Sequence, residues 1–316
     1  MKSLAKNSFV LLVIVLCFVN FGQAQAQSTL PEYEDSLKTL GKLVLYGESD
    51  QAKQNANEQF KTLLEEALVQ RNSFDYPFDS LITVARLVSP DNKLRIFNWN
   101  LPYPDGTYEY FGFIQINSKK NKPYIIYPLI DKSDDIKKPE TEILDDENWY
   151  GAHYYKLFLE KRGGKRYYML LGWDGNNIRS TKKIIEVLTF DSWGKPIFGK
   201  EIFYFDDDKK KKPARIIFEY TNEATISLKY EKQFVDSGKH KKWMIVFDRI
   251  FPLAPNLEGQ YEFYVPETNI FDAFIFRKGK WTFIEDVDAR NPKEFDKEIP
   301  TERTPQKDFY KPIKSD

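Results

Sequence analysis

Tyr108-Glu109-Tyr110-Phe111-Gly112-Phe113-Ile114 is the stretch that decides the fold. Aromatic and β-branched side chains suit a pleated strand, yet here they occupy both parities of the run. A strand with water on one side alternates, so this one must be covered on both faces. Lys183-Ile184-Ile185-Glu186-Val187-Leu188 reads the same way. Stacked sheets, or one large curled sheet, are the expected arrangement.

Outward from these runs, Asn92-Lys93, Asn121-Lys122, Gly164-Lys165, Gly194-Lys195, Gly238-Lys239 and Gly279-Lys280 each precede an aromatic or aliphatic stretch. Asn and Gly supply the backbone angles of tight hairpins, and strands joined by hairpins are antiparallel neighbours. Candidate strands lie between 82 and 287, among them 108–117, 197–205, 261–266 and 271–277. The segment 27–73 has a different period. Leu30, Tyr33, Leu37, Leu40 and Val44, then Ala52, Ala56, Phe60, Leu64 and Leu68, fall three or four apart. Pro31 stands near the start, Gly47 breaks the run and Ser49 restarts it, which predicts a helical hairpin. The expected fold class is therefore α+β, mainly β: an N-terminal helical hairpin, then a large antiparallel β-meander over 74–287. A propeller-like arrangement is the alternative, suggested by turn spacings of 29, 43, 30, 44 and 41 residues without a recurring blade motif. The stretch from Asp134 to Trp149 reads as an acidic insertion, and 288–316 as a charged, proline-containing tail.

The first 26 residues read as a secretory signal peptide: Lys2 and Lys6, an apolar run from Phe9 to Phe21, and Ala24-Gln25-Ala26, with cleavage expected after Ala26. Cys17 is the sole cysteine and would leave with that segment. Bulky Ile14-Val15-Leu16 before it disfavour the lipoprotein alternative. A thiol-free mature chain without a transmembrane span, exported to the periplasm or outer envelope, is the expectation. The full chain carries 47 basic and 47 acidic residues. This balance argues against an extended nucleic-acid or anionic-membrane footprint.

No motif with catalytic specificity emerges. His153 and His240 are too few and too separate for a zinc site, and His153 reads as a hydrogen-bonded, core-facing strand residue. Ser180-Thr181-Lys182-Lys183 has Ser-x-x-Lys spacing but leads into a β run and lacks its companion motifs. No loop matches a calcium or phosphate motif, so no cofactor or metal is expected. Leu171-Gly172-Trp173-Asp174-Gly175-Asn176-Asn177 is the stretch closest to a binding site. A Trp face stacks on a pyranose while Asp and Asn take its hydroxyls, although Asp-Gly and Asn-Asn are equally ordinary turn residues. The candidate binding residues are Trp173, Asp174, Asn176 and Asn177, with Trp99, Trp149 and Trp193.

At Phe74-Asp75-Tyr76-Pro77-Phe78-Asp79, Ser89-Pro90-Asp91-Asn92-Lys93-Leu94-Arg95-Ile96-Phe97, Leu171-Gly172-Trp173-Asp174-Gly175-Asn176 and Val246-Phe247-Asp248 the chain resembles a group of exported Bacteroidota proteins with no assigned activity. The resemblance implies the compartment and no catalytic residue. Asp35-Ser36-Leu37 and Asp79-Ser80-Leu81 are similar to the O-glycan sites of exported proteins in that phylum. The expected function is a non-enzymatic envelope module that binds a glycan, peptide or protein partner. A carboxylate-based glycoside hydrolase and a structural part of an envelope assembly are the alternatives.

Overall fold

The computed structural model describes residues 28–117, 123–235 and 240–288. The expected signal peptide, nearly all of the charged tail, and the turns at Asn121 and Gly238 lie outside the described residues. Strand makes up 45% and helix 17%, so the chain is mainly β, with two N-terminal helices ahead of several antiparallel sheets and no closed barrel.

Helix α1 (Leu30–Tyr46) begins where the Glu32 carboxylate accepts the Thr29 N–H at 2.7 Å, and it stops at Gly47. In α2 (Asp50–Leu68) the Ser49 hydroxyl accepts the Ala52 N–H at 3.2 Å, satisfying a donor the helix itself leaves orphaned. The apolar stripes of both helices are buried through Leu37, Val44, Phe60, Leu64 and Leu68.

The first sheet runs in sequence order: β1 (Ala85–Val88), β2 (Leu94–Pro102), β3 (Tyr108–Ile116) and β4 (Ile125–Ile130), all antiparallel. The second holds β5 (Leu144–Asp145), β6 (His153–Arg162), β7 (Lys165–Asp174), β8 (Ser180–Phe190) and β9 (Pro196–Phe198) in the order 5-9-8-7-6. A further strand (Ile216–Thr221) pairs with the first half of β8. The third sheet takes Phe203–Tyr204, then Lys280–Ile284, Tyr264–Arg277, His240–Pro252 and Leu228–Val235. In chain order these remaining strands are β10 (Phe203–Tyr204), β11 (Ile216–Thr221), β12 (Leu228–Val235), β13 (His240–Pro252), β14 (Tyr264–Arg277) and β15 (Lys280–Ile284).

Two expected strands are corrected. The run 197–205 divides: β9 closes on the second sheet, the chain turns at Gly199 (φ +93°), and β10 joins the third sheet parallel to β15. A Cβ at Gly199 would lie 2.9 Å from the Arg215 guanidinium, so the turn requires both the missing side chain and the positive φ. The run 261–266 opens as a 3-10 turn (Tyr261–Phe263), and β14 continues unbroken to Arg277.

Alternating residues explain the layers. Phe97, Trp99, Leu101 and Phe113 face the helices, while Leu94, Ile96, Tyr110 and Ile114 face the second sheet. On the second sheet Tyr168, Leu170 and Leu188 look back at the first, whereas Met169, Leu171 and Val187 meet Ile245, Phe247 and Phe274 of the third. The order is helices, sheet, sheet, sheet. With helices on one outer face, the sheets form a stack and no ring of blades.

The acidic insertion is tied down by one buried cation. Arg215 Nε donates to Glu186 Oε2 at 2.7 Å with both side chains fully buried. Its other guanidinium nitrogens donate to the carbonyls of Pro139, Glu142 (2.9 Å) and Phe198 (3.4 Å).

Candidate functional site

The mouth between the first and second sheets is created by a strand that ends early. β4 pairs with β3 from Ile116 back only to Phe111, leaving the edge of β3 at Tyr108–Tyr110 open. The chain instead turns toward the second sheet, where Ile130 N donates to Asp146 O and Trp149 N donates to Ile130 O. Asp131 repairs part of the exposed edge: its carboxylate accepts the Tyr110 N–H at 3.0 Å and is fixed by the Ser133 N–H and hydroxyl at 3.0 and 2.6 Å. A cavity of about 620 Å³ lies against this edge.

Its floor is a buried polar cluster. Asp174, at the end of β7, accepts the Tyr110 hydroxyl at 2.9 Å and the Asn176 N–H at 2.8 Å through Oδ1. Among the described residues its Oδ2 has only the Lys182 ammonium, 3.6 Å away. Lys182 donates to Asn176 Oδ1 at 2.8 Å and to the Tyr150 hydroxyl at 3.2 Å. The Asn176 amide reaches Ser180 Oγ at 2.7 Å, and Ser180 donates to Glu219 at 2.6 Å. Half-exposed Tyr103, Tyr108 and Phe111 form the walls. Gly175 brings the turn directly beneath Tyr108, since a Cβ there would lie 2.1 Å from that ring.

Burial dominates the electrostatics. It raises the Asp131 and Asp174 carboxyls above the ordinary aspartate value, and the Asp174 charge adds to the rise at Asp131. Burial pushes the Tyr150 hydroxyl up to about 12 and the Tyr110 hydroxyl higher still. Burial alone would lower the Lys182 ammonium, but Tyr150, Asp174 and Glu219 around it hold it above the usual lysine value. The site thus sets an ammonium held above the usual lysine value beside two carboxyls held above the usual aspartate value.

Of the residues singled out in the sequence, Asp174, Asn176 and Trp99 line this cavity. Asn177 shapes the turn, its Oδ1 accepting the N–H groups of Arg179 and Ser180. Trp173 is half-buried with its ring edge-on to Tyr108 at 5.3 Å, next to the cavity wall but outside the lining itself. Trp99 and Trp149 are core residues, 2% and 0% exposed, with their indole N–H groups donated to Asn57 and Tyr154. Trp149 lies outside the cavity lining, and Trp99 belongs to it with only 2% of its surface exposed. Trp193 is 90% exposed and stands at the far end of the same sandwich. Sequence reasoning missed Tyr108, Tyr110, Asp131, Tyr150 and Lys182. Only the two tyrosines of β3 carried a signal, their shared parity on that strand.

The Ser-x-x-Lys spacing does not place its ends together. On a strand, residues three apart lie on opposite faces. Ser180 bonds Glu219, while the Lys183 ammonium sits over the Tyr155 ring at 4.8 Å. His153 is half-buried with no partner for Nδ1 among the described residues, against the hydrogen bond expected for it. Among those residues no group of three or more His, Cys, Asp or Glu could hold a metal ion, and no helix is long and apolar enough to cross a membrane. Compared with known proteins, the chain matches no family model, no curated relative and no solved structure, which leaves the site's own chemistry to carry the functional reading.

Proposed function

We propose that this chain is an exported, non-enzymatic binding module that takes a hydroxyl-rich ligand, a glycan, in the mouth between the first and second sheets. The observation that carries the reading is the pairing of half-exposed rings with under-used acceptors. Tyr108 offers an apolar face on the second-sheet side of β3 and Phe111 another around the open edge on the helix side, while Asp174 Oδ2 and Asp131 Oδ2 each retain capacity to accept a hydroxyl. At about 620 Å³ the cavity falls within the range of small-ligand sites. Export rests on the leader-like sequence of residues 1–26.

Titration calorimetry of the purified protein against a panel of envelope glycans tests the site. Saturable binding is expected, and Tyr108→Ala or Asp174→Asn should each weaken it at least about tenfold, the order expected for one lost hydrogen bond or ring contact. Binding indifferent to both changes would remove the site.

The presence of two carboxyls, Asp131 and Asp174, on one cavity, both raised by burial above the ordinary aspartate value, favours a second reading, a carboxylate-based glycoside hydrolase, whose chemistry uses a pair of carboxyl groups across a cleft. It predicts release of reducing ends from a bound glycan, abolished by Asp131→Asn. Binding without any release leaves the first reading standing.

A further inference from the structure

The opposite end of the same sandwich opens into a groove of about 560 Å³ with a different chemistry. It is bounded by the start of β2, the facing ends of β3 and β4, the β6–β7 turn and the turn after β8. Four cations, Lys93, Lys165, Arg166 and Lys200, line it without a single carboxylate. Arg166 is already committed, with Nε 3.1 Å from Asp91, which also accepts the Tyr168 hydroxyl at 3.1 Å. The three lysines are exposed and have no ion-pair partner among the described residues.

Above them stands Trp193, 90% exposed. Its turn is rigid: Asp191 Oδ1 accepts the N–H groups of Trp193 and Lys195, both at 2.8 Å, and the Tyr127 hydroxyl donates to Gly194 O at 3.0 Å. An indole left in water on a tightly braced turn is a preorganised platform, because little ordering entropy is lost when a ligand settles on it. Unpaired ammonium groups beside it select for negative charge.

We propose that this groove binds an acidic saccharide, its ring faces on Trp193 and its carboxylates or sulfates among Lys93, Lys165 and Lys200. Lysine point charges suit anions distributed along a sugar chain. Nucleic-acid recognition draws on free arginine forks and successive exposed stacking rings, and here the one arginine is occupied and, of the lining rings, Trp193 alone is exposed, Tyr127 and Phe190 being half-buried. The site is independent of the glycan mouth at the other end.

The test uses the purified protein with three probes: hexagalacturonate, maltohexaose and hexathymidylate, followed by calorimetry and tryptophan fluorescence. Hexagalacturonate is expected to bind saturably, at least about tenfold tighter than the other two, and to weaken as salt screens the lysines. Trp193→Ala should cost about tenfold or more, the order of a lost stacking contact. Lys93→Gln with Lys165→Gln should flatten the salt dependence. Unfolding midpoints check that these surface variants remain folded. No hexagalacturonate binding, binding unchanged by Trp193→Ala, or hexathymidylate binding as tight overturns the proposal. Tyr108→Ala is run in parallel: loss of hexagalacturonate binding there, with Trp193→Ala unaffected, moves the ligand to the other mouth and also overturns it.

Discussion

Gly175 is the tightest point of the mouth between the first and second sheets, and its missing Cβ is what lets the turn after β7 lie under Tyr108. Gly175→Ala should force that ring aside, weaken glycan binding and cost about 1–3 kcal/mol by overpacking, measured by calorimetry and urea unfolding. His153 makes a pH prediction. Burial lowers its pKa from 6.5, so below that pH the unfolded chain takes up a proton the native histidine resists. The associated stability is complete above about pH 6.5 and is lost as the pH falls through the window beneath it. The raised carboxyls of Asp131 and Asp174 act in the opposite sense at more acid pH. The unfolding midpoint should therefore drop between pH 7.5 and 5.5, and His153→Leu should flatten that slope. At this scale the site is half legible in the sequence. Asp174 and Asn176 announce themselves because Asp-Gly-Asn ends a strand in a turn of polar side chains. Trp173 stands one layer back from them, its ring against the Tyr108 wall and outside the cavity lining. Asp131 and Lys182 give no local sign, because their role exists only once two distant strands meet.

Elements whose signals are local can be read from the amino-acid sequence alone. Thr29, Glu32, Gly47 and Ser49 mark the helix ends through contacts spanning a few residues. The sheets are readable there as strands and hairpins but not as partners. The break at Gly199 is set by Arg215, sixteen positions away, and the unbroken course of β14 by its pairing with β13 and β15. Arg215→Leu would strand Glu186 in the interior without its partner, and a loss of about 3–5 kcal/mol is expected. Replacing both residues by leucine should recover part of it, read from denaturant midpoints. The helical hairpin is joined to the first sheet by the Asn57–Trp99 hydrogen bond (2.7 Å) and the Phe60–Trp99 edge contact (4.9 Å). Asn57→Ala leaves a buried indole donor unpaired and should cost about 1–3 kcal/mol. Helical and tryptophan signals should then move to a lower midpoint together, because hairpin and sheet share one core.

Across the whole molecule, three sheets in a stack leave the two proposed openings at the ends of the strands and not on their faces. The second sheet contributes to both openings: β8 carries Lys182 at one mouth and Phe190 at the other. Eight residue steps separate them, about 26 Å at the rise of an extended strand. If both proposed sites bind as argued, the protein is a coupler. Mixed with two polymers, one neutral and one acidic, it would draw them into a common network at a fixed spacing, and light scattering would rise only when both are present.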